Sequence, residues 1–316
     1  MTGRSGAAPR LTIGVPVYNG ELYLDHALRS VAEQTDGDFE VDVADNASTD
    51  ATEEIAREWV SRDHRFAYHR HETNVGGAVN SNFLLARCRS PWFKWAYHDD
   101  LCDPRLVERS FAVLADAPPA SVLAYPRVRL VDADGAVVGQ HADADLRLDG
   151  PAPHERLRVL LARVVTQTQF GIMDTAVARA AGGVVVSPAG EMLFPSALAL
   201  RGRLVLVPGE PLLSIRSHAD RHGGSRDSEM AWVDPSRPRT AFPYSRSTPM
   251  LLGIVARSPL TVREKARSAA VVLRWWTVPG ARTIAGDVVR LPSDLGLVPW
   301  RRAAREVSKA GPAVGR

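Results

Sequence analysis

Long apolar runs are missing from this chain of 316 residues: no uninterrupted stretch approaches the roughly 18 residues that a membrane-crossing helix needs. Cysteine is almost absent. Cys88 and Cys102 form no CxxC pair, which excludes a disulfide framework and a thiolate zinc site, and two buried free thiols are expected. Charge of one sign is lacking too. With 39 Lys and Arg against 36 Asp and Glu, the net charge is +3, and the basic residues are spread out rather than blocked. That allows a weak pull on phosphates but implies no nucleic-acid-binding surface. No G-x-G-x-x-G follows the first strand, so a dinucleotide dehydrogenase is disfavoured. No G-x-S-x-G and no Walker lysine occur either. Met1 to Pro9 has no apolar core of a signal peptide and reads as a disordered N-terminus, so a cytoplasmic location is expected.

What is present suits a globular protein: 45% hydrophobic and 24% charged residues, in a chain long enough for one large domain or two ordinary ones. Leu11 to Tyr18 reads as a buried strand, with Pro16 near its end where a missing N–H is tolerated. Asn19-Gly20 turns the chain into a helix from about Glu21, with Leu24, Ala27, Leu28 and Val31 on one face. A second strand at Phe39 to Ala44 stops at Asp45, and Ser48 or Thr49 is a candidate cap for a helix over Ala51 to Ser61. Phe66 to His71, Gly77 to Ala86 and Trp92 to Tyr97 follow as strand, helix and strand. Such alternation predicts a parallel sheet covered on both faces, with ligands beyond the strand C-terminal ends. Those ends carry Tyr18, Asp45, Asn74 and Asp99-Asp100.

One stretch organises the rest. Tyr97-His98-Asp99-Asp100 ends an apolar run on adjacent carboxylates, which repel and are costly to bury unpaired. Facing a hard divalent cation, Mg²⁺ or Mn²⁺, would relieve that conflict; a solvated turn before a helix capped at Asp103-Pro104 would do so as well. Two further Asp-x-Asp runs are read otherwise: Asp132 to Gly135 as a hairpin turn and Asp143 to Asp149 as an exposed loop. Beyond them the pattern predicts helices at 105–115, 154–163 and 190–201, a run of uncertain structure to Gly183, and short strands at 204–207 and 212–215. A segment poor in periodicity, 217–244, reads as a lid or linker. Helices over 247–257, 261–277 and 281–291 follow, then a basic end, Leu297 to Arg316.

The succession resembles the family 2 glycosyltransferases, which have the GT-A fold. LTIGVPVYN (11–19) looks like their opening strand, and FEVDVADNASTD (39–50) like the second strand and its turn. NVGGAVN (74–80) resembles the third loop, and YHDD (97–100) takes the place of the metal-binding Asp-x-Asp. GEMLFPSALALRGR (190–203) resembles the acceptor-side helix that begins with the catalytic carboxylate, and LLSIRSH (212–218) the strand and His that close the donor site. Three departures stand out: Ala44-Asp45 takes the place of the common Asp-Asp of the second motif, His98 replaces the first Asp of Asp-x-Asp, and Gly190-Glu191 replaces a usual Glu-Asp.

The resemblance implies an α/β fold of GT-A type, a Rossmann-like mostly parallel sheet covered by helices, with a C-terminal helical extension. Its domain would span 10–220, with a nucleotide-binding half to 103 and an acceptor half from 104; 221–316 would hold the lid and C-terminal helices. The implied reaction is inverting transfer from a nucleotide-diphosphate sugar, UDP or dTDP favoured, to an acceptor hydroxyl. Glu191 would be the catalytic base. Pro16, Val17, Tyr18, Glu21, Asp45, Asn74, Asn80, His98 and Asp99 would bind the donor, with Asp45 on the base N3–H and Asp99 near the ribose. Asp100 and His218 would hold Mg²⁺ or Mn²⁺. The acceptor, a glycan, a lipid-linked sugar or a small molecule, would meet Gln167 to Phe170 and the C-terminal region. The C-terminal helices are a candidate homodimer face, and a membrane-peripheral location fits a lipid-linked acceptor. A GT-A-like module that binds the donor without transfer is the alternative, motivated by His98 and Gly190. A sugar nucleotidyltransferase lacks support, because 14–19 has no Gly-rich basic loop.

Overall fold

The computed structural model describes residues 8–140, 146–163, 167–185, 187, 190–217 and 245–277. Strand β1 (Leu11–Val17) is buried along its whole length, and the chain alternates from there: α1 (Leu24–Ala32), β2 (Phe39–Asp45), α2 (Thr52–Arg62), β3 (Phe66–Arg70), α3 (Gly77–Arg87), β4 (Trp92–Trp95). These strands pair in parallel, as strand–helix alternation predicts, in the order β3-β2-β1-β4. The predicted inner face of α1, with Leu24, Ala27, Leu28 and Val31, is the buried one.

Two local expectations need correction. Helix α1 begins at Leu24 rather than Glu21, because Tyr23 and Leu24 both donate to the Gly20 carbonyl and hold 21–23 in a turn. Neither Ser48 nor Thr49 caps α2. Asp50 Oδ1 accepts from the Thr52 N–H at 3.1 Å, while Ser48 Oγ takes the Asn19 N–H at 2.9 Å.

After β5 (Leu101–Cys102) and α4 (Leu106–Ala115) come β6 (Ser121–Pro126), β7 (Val128–Val131) and β8 (Val137–Gln140). The β7–β8 turn is the expected hairpin: Asp132 Oδ1 accepts from the Asp134 and Ala136 N–H groups, and Gly135 supplies a φ of 90°. Asp143 to Asp145 lie outside the described residues. Helix α5 (Pro153–Arg163) is followed by a 3-10 turn (Gln167–Phe170), β9 (Ile172–Asp174) and α6 (Thr175–Ala181). So the run to Gly183 is structured from Gln167 onward. Strand β9 enters the large sheet antiparallel between β4 and β6, and β10 (Arg203–Val207) completes the order β10-β6-β9-β4-β1-β2-β3. A second sheet, β5-β11-β7-β8, is closed by β11 (Leu213–Arg216).

Helices α7 (Gly190–Ala199), α8 (Ser247–Arg257) and α9 (Val262–Thr277) pack with α5 around Leu157, Leu161, Leu193, Leu251 and Val272. Arg156, buried in α5, ties α7 down: Nε donates to the Ala199 carbonyl at 2.8 Å and Nη1 to Gly150 and Pro151. Burial pushes its pKa down to about 10. Cys88 and Cys102 are buried free thiols, as expected. The 218–244 segment, the 281–291 helix and the basic end all lie outside the described residues.

Candidate active site

The C-terminal ends of β1 to β4 form one edge, and the loops after β1, β2 and β3 are fastened to one another. Asn19 adopts a left-handed φ of 49°, tolerable for an Asn. Its N–H donates to Ser48 Oγ and its Oδ1 accepts from the Thr49 N–H, both at 2.9 Å. The Gly20 N–H donates to Thr52 Oγ1 at 2.8 Å and the Glu21 N–H to Asp50 Oδ2 at 3.0 Å. Glu21 returns the contact, accepting from the Ala51 N–H at 3.2 Å. Burial would raise the Asp50 pKa, but hydrogen bonds from Thr52 and from the Glu21 and Thr52 backbones hold it below the ordinary value. Gly20 has a steric reason as well. A Cβ there would come within 2.6 Å of Val17 Cγ2 and 2.8 Å of the His98 ring.

Beside this clasp lie the residues expected to bind the donor. Pro16 and Val17 are buried in β1, and the Val17 carbonyl accepts from the Asn46 N–H at 2.9 Å. Tyr18 is 37% exposed at the mouth. Asp45 is fully enclosed: Oδ1 takes the Ser48 N–H at 2.8 Å, and Oδ2 takes the Tyr68 hydroxyl at 2.6 Å and Arg70 Nη1 at 2.5 Å. Arg70 also donates to the Ser48 carbonyl. Burial and then the Asp45 carboxylate push the Tyr68 hydroxyl pKa well up, so Tyr68 stays a donor. Neither Tyr68 nor Arg70 was among the expected site residues, although a basic residue ending β3 on the ligand edge is a legible signal.

The third loop joins in through amides. Asn46 Nδ2 donates to Asn74 Oδ1 at 2.8 Å, and Asn46 Oδ1 accepts from the Val75 N–H at 2.8 Å. Asn80, 2% exposed, donates to the Ala44 carbonyl at 2.8 Å, and its Oδ1 lies 3.0 Å from His71 Nε2. Asn74 is exposed at the edge, whereas Asn80 works from beneath it.

At the end of β4, Asp99 is half-buried and Asp100 buried. Asp100 Oδ1 accepts from the Arg216 N–H at 3.1 Å, which ties the carboxylate to β11. The Arg216 side chain spans the Asp99, Asp132 and Ala133 carbonyls and lies over the Tyr23 ring at 4.7 Å. Under this turn sits Lys94, 1% exposed, donating to the Trp95 carbonyl at 3.1 Å and to the Phe170 carbonyl. Burial pushes its pKa down, while Cys102 and Asp100 pull it back. A lysine inside WFKWAY is the signal that a charge lies under the site.

Glu191 lies in the first turn of α7. Its side chain is outside what is described, and so is the whole of His218. Helix α7 is seated on the site's floor, with the Phe194 and Trp95 rings 5.3 Å apart. Among the described residues no three His, Cys, Asp or Glu side chains cluster as a metal cage. Asp99 and Asp100 are hard oxygen donors of the kind that Mg²⁺ or Mn²⁺ takes one or two at a time. The groove lined by Arg109, Arg147, Leu204 and Pro208 includes none of these residues.

Comparisons agree with this geometry. Residues 12–166 match the sequence model of glycosyl transferase family 2. An uncharacterized glycosyltransferase of Rickettsia typhi is 31% identical over 125 residues, 40% of this chain and 38% of that protein. Validoxylamine A glucosyltransferase of Streptomyces hygroscopicus subsp. limoneus is 33% identical over 128 residues, 39% of this chain and 28% of its own. The chain thus spans well under half the length of these curated relatives. In three dimensions it is similar to Staphylococcus aureus TarS 1–349 in complex with UDP, with a TM-score of 0.64 at 17% identity over 92% of this chain and 82% of that one. A mannosyltransferase of Pyrobaculum calidifontis, in complex with GDP-Man and Mn²⁺, gives 0.50 at 18% identity over 96% and 79%. With a GT-A-type sheet, ordered loops at its edge and the sequence match, residues 12–166 of this chain belong to glycosyl transferase family 2.

Proposed function

We propose that this chain is an inverting glycosyltransferase that moves a sugar from a nucleotide-diphosphate sugar, UDP- or dTDP-linked, to an acceptor hydroxyl. One observation carries the reading: the loops after β1, β2 and β3 are interlocked by hydrogen bonds at a single sheet edge, and the turn holding Asp99 and Asp100 lies against them through the His98 ring beside Gly20. The UDP and UDP-GlcNAc complexes of TarS support a uridine donor, since those are what a neighbour of the same fold holds.

In this reading Pro16, Val17 and Tyr18 form the wall for the base, and Asp45, enclosed by Ser48, Tyr68 and Arg70, accepts its N3–H once Arg70 or Tyr68 swings aside. Glu21 and Asn74 line the approach, and Asn80 keeps the loop in register. Asp99 takes the ribose. Asp100 would hold Mg²⁺ or Mn²⁺, with His218 beyond β11 as a second ligand or as a donor to the diphosphate. Such a cation, when bound, neutralises charge that builds on the departing diphosphate. Glu191, in the first turn of α7, accepts the proton of the acceptor hydroxyl. The hydroxyl oxygen of the acceptor then bonds to the anomeric carbon from the face opposite the nucleotide, while the carbon–oxygen bond to the diphosphate breaks and the phosphate oxygen keeps the electron pair.

The test pairs binding with turnover. Thermal stabilisation by a panel of nucleotide sugars, with and without Mn²⁺, identifies the donor, because a ligand of the native state raises its melting temperature. Glu191→Gln should keep that stabilisation and lose transfer by about 10²-fold or more. Near-normal transfer would remove Glu191 as the base, and unchanged metal dependence in Asp100→Ala would remove the metal assignment. The second reading, a module that binds the donor without transfer, is favoured by the His98 ring packed on Gly20 where the resemblance has a carboxylate. Metal-dependent binding with no turnover on a broad acceptor panel would establish it.

A further inference from the structure

Among the described residues, helix α9 packs one face against the core. Ser268 and Val272 are buried, whereas Val262, Arg263, Ala266, Arg267, Ala270, Leu273 and Arg274 are exposed. At 100° per residue the exposed set divides in two. Val262, Ala266, Ala270 and Leu273 make an apolar band, with Val262 85% and Leu273 50% exposed. Arg263, Arg267 and Arg274 run along one flank of it. Glu264, the helix's lone acid, is turned away to cap the N-terminus, where Oε2 accepts from the Thr261 N–H and hydroxyl at 2.9 and 2.8 Å. The sequence from Val262 to Arg316 holds eleven Lys and Arg against four Asp and Glu, so residues 1–261 are net acidic although the whole chain is +3.

We propose that α9 docks this protein on an anionic lipid surface, with the apolar band seated at the headgroup boundary and the arginines on lipid phosphates. Charge complementarity selects the partner. An arginine row alone would suit any polyanion, but an exposed aliphatic band beside it gains nothing from a nucleic-acid backbone and does gain from acyl chains. A second copy of the chain would bring the three arginines of each helix against those of the other, which repels. The inference goes beyond the sugar-transfer reading and does not depend on it; surface docking would bring the protein to acceptors carried on lipids.

Co-sedimentation of the full chain with phosphatidylcholine vesicles, with and without 30% phosphatidylglycerol, tests the proposal. Binding should require the anionic lipid and be released by 0.5 M NaCl. Neutralising each arginine should weaken it about fivefold at low salt, so R263Q/R267Q/R274Q loses roughly 100-fold. Leu273→Ser should weaken it with no change of charge. These positions are on the surface, so the melting temperature should stay within a degree or two. If the triple variant does not fold, salt release and Leu273→Ser decide alone. Binding that ignores phosphatidylglycerol overturns the proposal. So does binding indifferent to Leu273→Ser, tighter binding to polyuridylate than to vesicles, or a dimer in light scattering that Leu273→Ser dissociates.

Discussion

Replacing Asp50 probes the clasp that joins the loops after β1 and β2. Its carboxylate accepts from the Thr52 N–H at 3.1 Å, the Thr52 hydroxyl at 2.5 Å and, across the loops, the Glu21 N–H at 3.0 Å. Asp50→Ala loses an N-terminal helix contact, about 1 kcal/mol, and an inter-loop hydrogen bond of about 1 kcal/mol net. Asp50 is partly exposed, so water replaces some of what is lost. The expected cost is about 1.5 kcal/mol, or roughly 4 °C in melting temperature. Asp50→Asn keeps one acceptor oxygen and should cost about half as much. The charge sets the pH dependence. The folded pKa lies below the unfolded value of 3.8, so the charge-linked stability is fully present above that value and is lost as pH falls through the folded pKa. Urea midpoints at pH 7, 5 and 3 should show a constant gap between wild type and Asp50→Asn at the two higher values and a shrinking one at pH 3. Donor affinity should fall too, since Tyr18 follows β1 and Asp45 ends β2. An Asp50→Ala variant within 0.3 kcal/mol of wild type, or a gap that widens in acid, refutes the clasp.

Three further tests follow from packing. A Cβ on Gly171 would stand 2.3 Å from the Ala124 carbonyl, so Gly171→Ala should cost about 3 kcal/mol or prevent folding, while Gly139→Ala, with 3.7 Å to its nearest neighbour, should be close to neutral in the same thermal melt. Arg156→Met deprives the Ala199, Gly150 and Pro151 carbonyls of their donor, so urea unfolding should show a loss of about 2–4 kcal/mol. The native protein should give no fast reaction with a thiol reagent and the denatured chain two equivalents, because Cys88 and Cys102 are both buried.

The first four strands and three helices were legible because each follows from contiguous periodicity: Leu24, Ala27, Leu28 and Val31 state the inner face of α1 without help from elsewhere. Strand β9 was not. Three residues, Ile172–Asp174, carry no alternation to read, and their place between β4 and β6 is decided by partners distant in sequence. Two-residue β5 escaped for the same reason. At the site, residue types at strand ends pointed to Asp45, Asp99 and Asp100, but not to what each touches. Tyr68 and Arg70 reach Asp45 only through the β2–β3 register, and the Arg216 N–H reaches Asp100 only because β11 pairs with β5. Ser48 shows local chemistry overridden. As a short polar residue before a helix it suits a cap, yet its hydroxyl went to Asn19 because the neighbouring loop offered a nearer donor.

Strand β9 also bears on the order in which the chain assembles. Trp92 pairs on one side with Leu11, about eighty residues before it, and on the other with Asp174, about eighty residues after it, so β1 to β4 are all synthesised before β9 exists. During synthesis the four-stranded half can therefore collapse while the edge of β4 is still open, and such an edge invites pairing with another chain. The element that closes it arrives with Phe170, whose carbonyl receives the Lys94 ammonium. Until then the lysine keeps a charge on the unfinished edge, where it discourages intermolecular pairing, and docking of β9 buries it. One side chain thus guards the nascent sheet and is later sealed beneath the finished site.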